Sequence, residues 1–132
     1  MARYPARAAV MYLSTTGSGT ATNVIAINAW TINATTDRID VTAFGDANKV
    51  TVPGLPDLSG TFSGWWDDTE SKPFTAASSS TGCNMYLYPS ADAPSKFWSG
   101  PAWIDVSMDC SVAGAVAISG NISARGSWSK TF

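Results

Sequence analysis

The sequence predicts an all-β chain, a β-sandwich or barrel-like domain of about seven or eight strands with one short helix. β-Branched residues dominate it, with 14 Thr, 8 Val and 7 Ile against 4 Leu, 1 Glu and no Gln, so helix formers other than Ala are scarce. Apolar residues recur with period two in several segments, and turn residues separate those segments. The 132 residues contain no internal repeat and no linker, which predicts a single domain over 1–132.

Residues 7–13 form a short apolar strand candidate, followed by the flexible tip STTGSGT at 14–20. In NVIAINAWTIN (23–33) both faces are largely apolar, which suits a strand covered on both sides. ATTD reads as a turn, after which Ile39, Val41 and Ala43 alternate with Arg38, Asp40 and Thr42. A loop is expected over 44–57, with Pro53-Gly54 as a type II turn, because Pro presets φ and Gly supplies φ > 0. SGTFSGWW (59–66) returns to alternation, with Leu58, Phe62 and Trp66 on one face and Trp65 on the other.

DDTESKPFTAASSSTG (67–82) breaks the pattern and predicts a helix near 71–79, with Pro73 in its first turn and Gly82 beyond its end. CNMYLYP (83–89) is a strand with Cys83, Met85 and Leu87 inward, and a loop follows. The last third reads as a long hairpin of about twelve residues per arm. Ile104, Val106, Met108, Cys110 and Val112 share one face, and Trp103, Asp105, Ser107, Asp109 and Ser111 the other. Past a turn near Ala113-Gly114, Val116, Ile118, Ile122, Ala124 and Trp128 continue the apolar face.

Histidine is absent, so Ser-His-Asp and Cys-His machinery, histidine metal ligands and side chains with an unperturbed pKa near neutrality are all excluded. A net charge of −2 gives no basis for counterion-release binding to nucleic acid. The apolar run at 8–13 is too short for a secretion signal and no stretch approaches a membrane span, so a protein made in a cytoplasm without an anchor is expected. Cys83 and Cys110 read first as small buried hydrophobes in strands, with a mutual disulfide as the alternative. Asp67, Asp68 and Glu70 lack the spacing of a calcium loop and read as a solvated acidic turn before the helix. Asp105 and Asp109 stand about 13 Å apart by strand rise, too far to act as a retaining carboxylate pair. No enzymatic activity, cofactor or metal is expected. Six tryptophans are many for this length and read as core or subunit contacts before sugar platforms.

The run RIDVTAFGDANKVTVPGLPDLSGTFSG (38–64) resembles the tail tube, or major tail, proteins of long-tailed bacteriophages. The resemblance lies in Thr42, Phe44, Gly45 and Asp46, then in Pro53, Gly54, Leu55 and Asp57. It continues in the opening Trp98-x-Gly100-x-Ala102, in a Gly-containing turn between two long strands and in the late Gly126. It implies a self-assembling structural protein of the virion tail, assembled in the host cytoplasm. Its copies would form stacked hexameric rings, meet other tail proteins at the tube ends, and let genomic DNA pass without sequence-specific binding. Alternatives are a Trp-bearing carbohydrate-binding module or a capsid decoration protein.

Two sets of residues are candidates for that function. Phe44, Gly45, Asp46, Val52, Pro53, Gly54 and Leu55 lie in a stretch too apolar for an ordinary solvated loop and are expected at a subunit interface. Asp105, Ser107 and Asp109 face away from the apolar side of their strand and are expected to line the lumen, where repeated negative charge would repel phosphates.

Overall fold

The computed structural model describes residues 3, 6–15 and 20–132. Eight strands, β1 (Val10–Ser14), β2 (Thr22–Asn23), β3 (Ile27–Asp40), β4 (Thr51–Trp65), β5 (Cys83–Tyr88), β6 (Phe97–Asp109), β7 (Ala117–Ala124) and β8 (Ser129–Thr131), belong to one antiparallel sheet. Its order is β2-β1-β5-β6-β7-β4-β3, with β8 pairing β6 off that path. The helix α1 (Lys72–Ala77) is the single α-helix among the described residues. The sandwich is thus one curled sheet. Met11, Leu13, Met85 and Leu87 from one part of it share a core cluster with Phe62, Ile104 and Ile122 from the other.

Strict alternation builds that core. Cys83, Met85 and Leu87 are buried along β5, and Leu58, Gly60, Phe62 and Gly64 along β4. Glycine at two positions makes room for aromatic rings. A Cβ at Gly120 would lie 2.5 Å from the Phe62 ring, and one at Gly100 would lie 2.5 Å from the Trp128 ring. The Trp128 indole is held over β6 by its own hydrogen bond, Nε1 donating to the Pro101 carbonyl at 2.6 Å. The Trp98-x-Gly100-x-Ala102 motif therefore has a packing reason: Gly100 seats an indole and Ala102 is fully buried.

α1 begins after Ser71, carries Pro73 in its first turn and buries Pro73 and Ala76. The Ser71 side chain makes no capping bond. Gly82 follows at φ +77°, a conformation that favours glycine. Before the helix, Glu70 is buried. Its carboxylate accepts from the Ile25 N–H at 3.1 Å and from Lys72 Nζ at 2.9 Å. This ties the turn between β2 and β3, where Ala26 has φ +63°, to the start of α1.

Several expectations are corrected. The first strand starts at Val10, because residues 6–8 form a 3-10 turn, and it includes Ser14; residues 16–19 of the expected tip lie outside the described residues. ATTD makes no turn, since Ala34, Thr35 and Thr36 pair with Leu58, Asp57 and Pro56. Pro53-Gly54 makes no turn either. Pro53 pairs with Arg38 and Pro56 with Thr36, so the extra residue of the PGLP run is taken up in a β-bulge. The expected loop 44–57 is therefore a connection over 41–50 followed by strand. Trp66 lies beyond the end of β4, and the arms of the last hairpin are unequal, 13 residues against 8. The apolar face of β6 runs out of core after Val106, leaving Met108, Cys110 and Val112 exposed. Cys83 is buried and Cys110 exposed, and both are free thiols. Glu70 is no member of a solvated acidic turn.

Gly120→Ala should lower unfolding stability by about 1–3 kcal/mol, because the added methyl overlaps the Phe62 ring and the Asp105 carbonyl oxygen. Urea unfolding followed by Trp fluorescence measures it.

Candidate assembly surfaces

The pairing of β3 with β4 extends past the body of the protein. β7 accompanies β4 only from Ser59 to Trp65, so the two strands continue alone from Asp57 to the tip. Seven residues at strand rise project this arm by about 24 Å. Ile39 lies opposite Val52, and the Val41 N–H donates to the Val50 carbonyl at 2.9 Å. These four side chains thus share one face, and all are exposed. The other face carries Arg38, Asp40 and Thr51.

The tip is a hydrogen-bonded structure. Asp40 Oδ1 accepts from the Thr42 N–H at 2.9 Å and from its hydroxyl at 2.7 Å, and the Thr42 Oγ1 in turn accepts from the Val50 N–H at 2.8 Å. Asp46 Oδ2 accepts from the Ala43 N–H at 2.8 Å, and Gly45 takes φ +93°. The Thr42-x-Phe44-Gly45-Asp46 motif thereby holds a turn whose one large side chain, Phe44, is fully exposed. Leu55, in the bulge, is 86% exposed and borders a hollow of about 570 Å³ with Trp98 and Trp128 at the root of the arm. Val52, Pro53 and Gly54 are strand residues of the arm, so all seven expected interface residues lie on this one feature.

The second expected set lies elsewhere. Asp105, Ser107 and Asp109 project from β6 on the side away from the core and are exposed. Register continues the row across the sheet: Asp105 is opposite Asn121, Asn121 opposite Thr61, and Thr61 opposite Thr31. Ser107, Ser119 and Ser63 form the next row. The result is a four-strand face of Asp, Asn, Ser and Thr with a shallow depression of about 420 Å³. Trp103 interrupts it at the end nearer the arm, with the Arg125 guanidinium 5.9 Å from the ring centroid.

This four-strand region has two edges without a strand neighbour. β3 is the last strand of the sheet, and β6 loses its β5 neighbour after Ala102. Neither Ile27–Asp40 nor residues 103–109 contain proline, so no missing N–H interrupts either edge, and α1 packs against β6. The arm portion of β4 carries two prolines, Pro53 and Pro56, which limit strand addition there.

The six tryptophans divide evenly. Trp30, Trp98 and Trp128 pack against the core, and Trp65, Trp66 and Trp103 are exposed. On the outer face of β1 and β5, Tyr12, Tyr88 and Phe97 form a ring ladder with centroids 5.1 and 5.2 Å apart. Burial raises the Tyr88 phenol above its usual range, and Tyr12 and Tyr86 add to the shift. The sequence offered one of Trp65 and Trp66 as a partner contact, and the structure exposes both at the end of β4. No group of three metal-ligating residues exists among the described residues. Nor is any helix among them long and apolar enough to cross a membrane.

Two titrations test this geometry. Burial pushes the Cys83 thiol up to about 11, against a smaller opposing effect of Arg125. At pH 8, Ellman's reagent should therefore react with one thiol per folded chain, Cys110, and with two after denaturation. The Thr42 hydroxyl and N–H hold Asp40 below its ordinary value. A depressed folded pKa means that the contact is complete above the unfolded value of about 3.9 and is lost as pH falls through the lower folded one. The Thr42 and Val50 amide signals should move together with a midpoint below that of a free aspartate, and Thr42→Val should abolish the shared transition.

No protein-family model matches the sequence, and no curated protein is significantly similar to it. Solved structures are similar. A chain from the virion of a native gene transfer agent particle has a TM-score of 0.81 at 14% identity, covering 98% of this chain and 100% of that one. A chain from the tail of an empty gene transfer agent particle, refined with C6 symmetry, gives 0.81 at 17% identity over 98% and 100%. The SPP1 tail tube gives 0.74 at 15% identity, over 98% of this chain and 79% of that one. The fold of this chain is the fold of phage-type tail tubes.

Proposed function

We propose that this chain is the repeating subunit of a phage-type tail tube, a virion protein without enzymatic activity or cofactor that assembles in the host cytoplasm. Its copies form rings, the rings stack, and genomic DNA leaves the capsid through the lumen. The observation that carries this reading is the β3–β4 arm. A two-stranded hairpin is marginal in water by itself, and this one exposes four β-branched side chains on one face plus Phe44 and Leu55. Such an arm needs a partner, and a fold shared with a tail tube makes another copy of the chain the natural one.

Lateral closure follows from these two edges. Joining the β3 edge of one copy to residues 103–109 of the next is a heterologous contact that continues the four-strand sheet around a ring. The C6 symmetry of a similar tail supports six copies. Twenty-four strands at a spacing of about 4.8 Å and a tilt of about 40° give a backbone diameter of about 48 Å, wider than a DNA duplex. The polar face of Asp105, Ser107 and Asp109 then lines the lumen, because the apolar face is already occupied by the core. Repeated aspartates there repel phosphates and keep DNA mobile.

Purified protein should form rings or tubes by negative-stain electron microscopy, where a carbohydrate-binding module would stay monomeric. Leu55→Asp should block tube formation while leaving the circular dichroism of the monomer unchanged; normal tubes from that variant would remove the arm from the interface. Asp105→Lys together with Asp109→Lys should leave tubes intact but slow DNA delivery, most at low salt where screening is weakest. Unchanged delivery would place this face outside the lumen.

A further inference from the structure

We propose that the outer face of β1, β5 and the start of β6 binds a neutral, N-acetylated glycan, whose sugar rings stack on Tyr12, Tyr86, Tyr88 and Phe97. The inference goes beyond the tube reading, because a single chain carries the whole site. Register builds the face. Asn23, Tyr12, Tyr86, Ser99 and Ser129 stand opposite one another in turn across β2, β1, β5, β6 and β8. In the next row Val10 is opposite Tyr88, and Phe97 is opposite Thr131. The alternate residues Met11, Leu13, Met85 and Leu87 point the other way, into the core. The aromatic face and the polar face of Asp105, Ser107 and Asp109 therefore lie on opposite sides of that core.

The four rings form one continuous surface. Centroids are 5.1 Å apart from Tyr12 to Tyr88, 5.2 Å from Tyr88 to Phe97 and 5.8 Å from Phe97 to Tyr86. All four residues are half-buried. None of the three phenol hydroxyls has a hydrogen-bond partner among the described residues. Burial, then the neighbouring phenols of Tyr12 and Tyr86, raises the Tyr88 phenol, so the three oxygens lie close together. Ring surfaces beside unspent hydroxyls match a sugar, which offers a C–H face for stacking and hydroxyls for the rim.

Charge selects the class of ligand. The two rows contain no Asp, Glu, Lys or Arg, so they offer no ion pair to a phosphate, a uronate or a charged peptide. They offer amide and hydroxyl groups at Asn23, Ser99, Ser129 and Thr131, which complement an uncharged ligand. A hollow of about 100 Å³ opens beside Tyr12 and Tyr88, closed by Val10, Ala91 and Pro94. It has room for an acetamido group, and its aliphatic lining suits the methyl. A flat ladder with one small hollow fits a chain of sugars carrying that substituent better than a single compact molecule. In a stacked tube the face would repeat on every copy, away from the lumen, and avidity would exceed one site's affinity by about 10²–10⁴. That exterior placement rests on the tube reading, and the binding does not.

Saturation-transfer NMR of the full chain with tetra-N-acetylchitotetraose tests the site, because it reads weak binding to monomers and tubes alike. Saturation should reach the acetyl methyl and the sugar ring protons. Tyr88→Leu and Ala91→Leu should each weaken binding about tenfold or more, with circular dichroism unchanged. Ala91 is exposed in a loop, so its variant fills the hollow without entering the core. Trp65→Ala should bind like the parent, and cellotetraose, which lacks the acetamido group, should bind about tenfold more weakly. No binding below about 10 mM, equal binding of cellotetraose, or parental binding by Ala91→Leu overturns the site. Tighter binding of decaproline to the same rings also overturns it, in favour of a proline-rich peptide. Each of these failures leaves the tube reading standing, because electron microscopy of the same sample reads rings and tubes independently.

Discussion

The ladder between β3 and β4 continues past the last residue that the core can cover. Twelve residue pairs join the two strands, yet Leu58 is the first buried side chain on β4 counted from the tip. From Leu58 to Gly64 the alternation has a purpose inside the molecule, because Phe62 fills the space over Gly120 and the neighbouring strands supply Ile104 and Ile122. Beyond Leu58 the same alternation persists without a core to receive it. The exposed stripe of Ile39, Val41, Val50 and Val52 follows directly, as does the need for hydrogen-bonded tip chemistry at Thr42 and Asp46. So does the division of the molecule into a body that holds the core and an arm whose apolar face is exposed.

Parity was the legible part of the sequence. Inward Cys83, Met85 and Leu87, buried Leu58 and Phe62, and outward Asp105, Ser107 and Asp109 all follow from counting by two. The start of the helix was legible as well, because Pro73 marks its first turn by local backbone preference, but it ends at Ala77, short of the expected 79 and well before Gly82. What failed was local turn chemistry inside long-range pairing. ATTD and PGLP carry turn residues, but twelve cross-strand pairs outweigh those preferences, and the mismatch is absorbed as a bulge. The end of the core was equally invisible. Met108, Cys110 and Val112 continue the apolar parity of Ile104, and nothing in the spacing says that the facing strands stop first.

Glu70 shows a different limit. Next to Asp67 and Asp68 it reads as one more surface carboxylate, and Asp67 is one, held below its usual pKa by the Thr69 hydroxyl and N–H. Glu70 instead turns inward to the Ile25 amide, 45 positions away, and to Lys72. Only the fold brings the β2–β3 turn to that carboxylate. The contact ties the turn that precedes β3 to the start of α1.

The prolines of β4 separate two kinds of molecular language. A neighbour joining along β3 would meet main-chain N–H and C=O groups, which are the same for every sequence. A neighbour joining the arm meets Pro53 and Pro56 on its edge and must instead recognise particular side chains. The first kind of joint tolerates sequence drift and would accept a distant relative almost as well as an identical copy. The second kind discriminates. In a cell holding two such proteins at once, sorting of like with like would therefore be imposed along the direction of the arm and not around it.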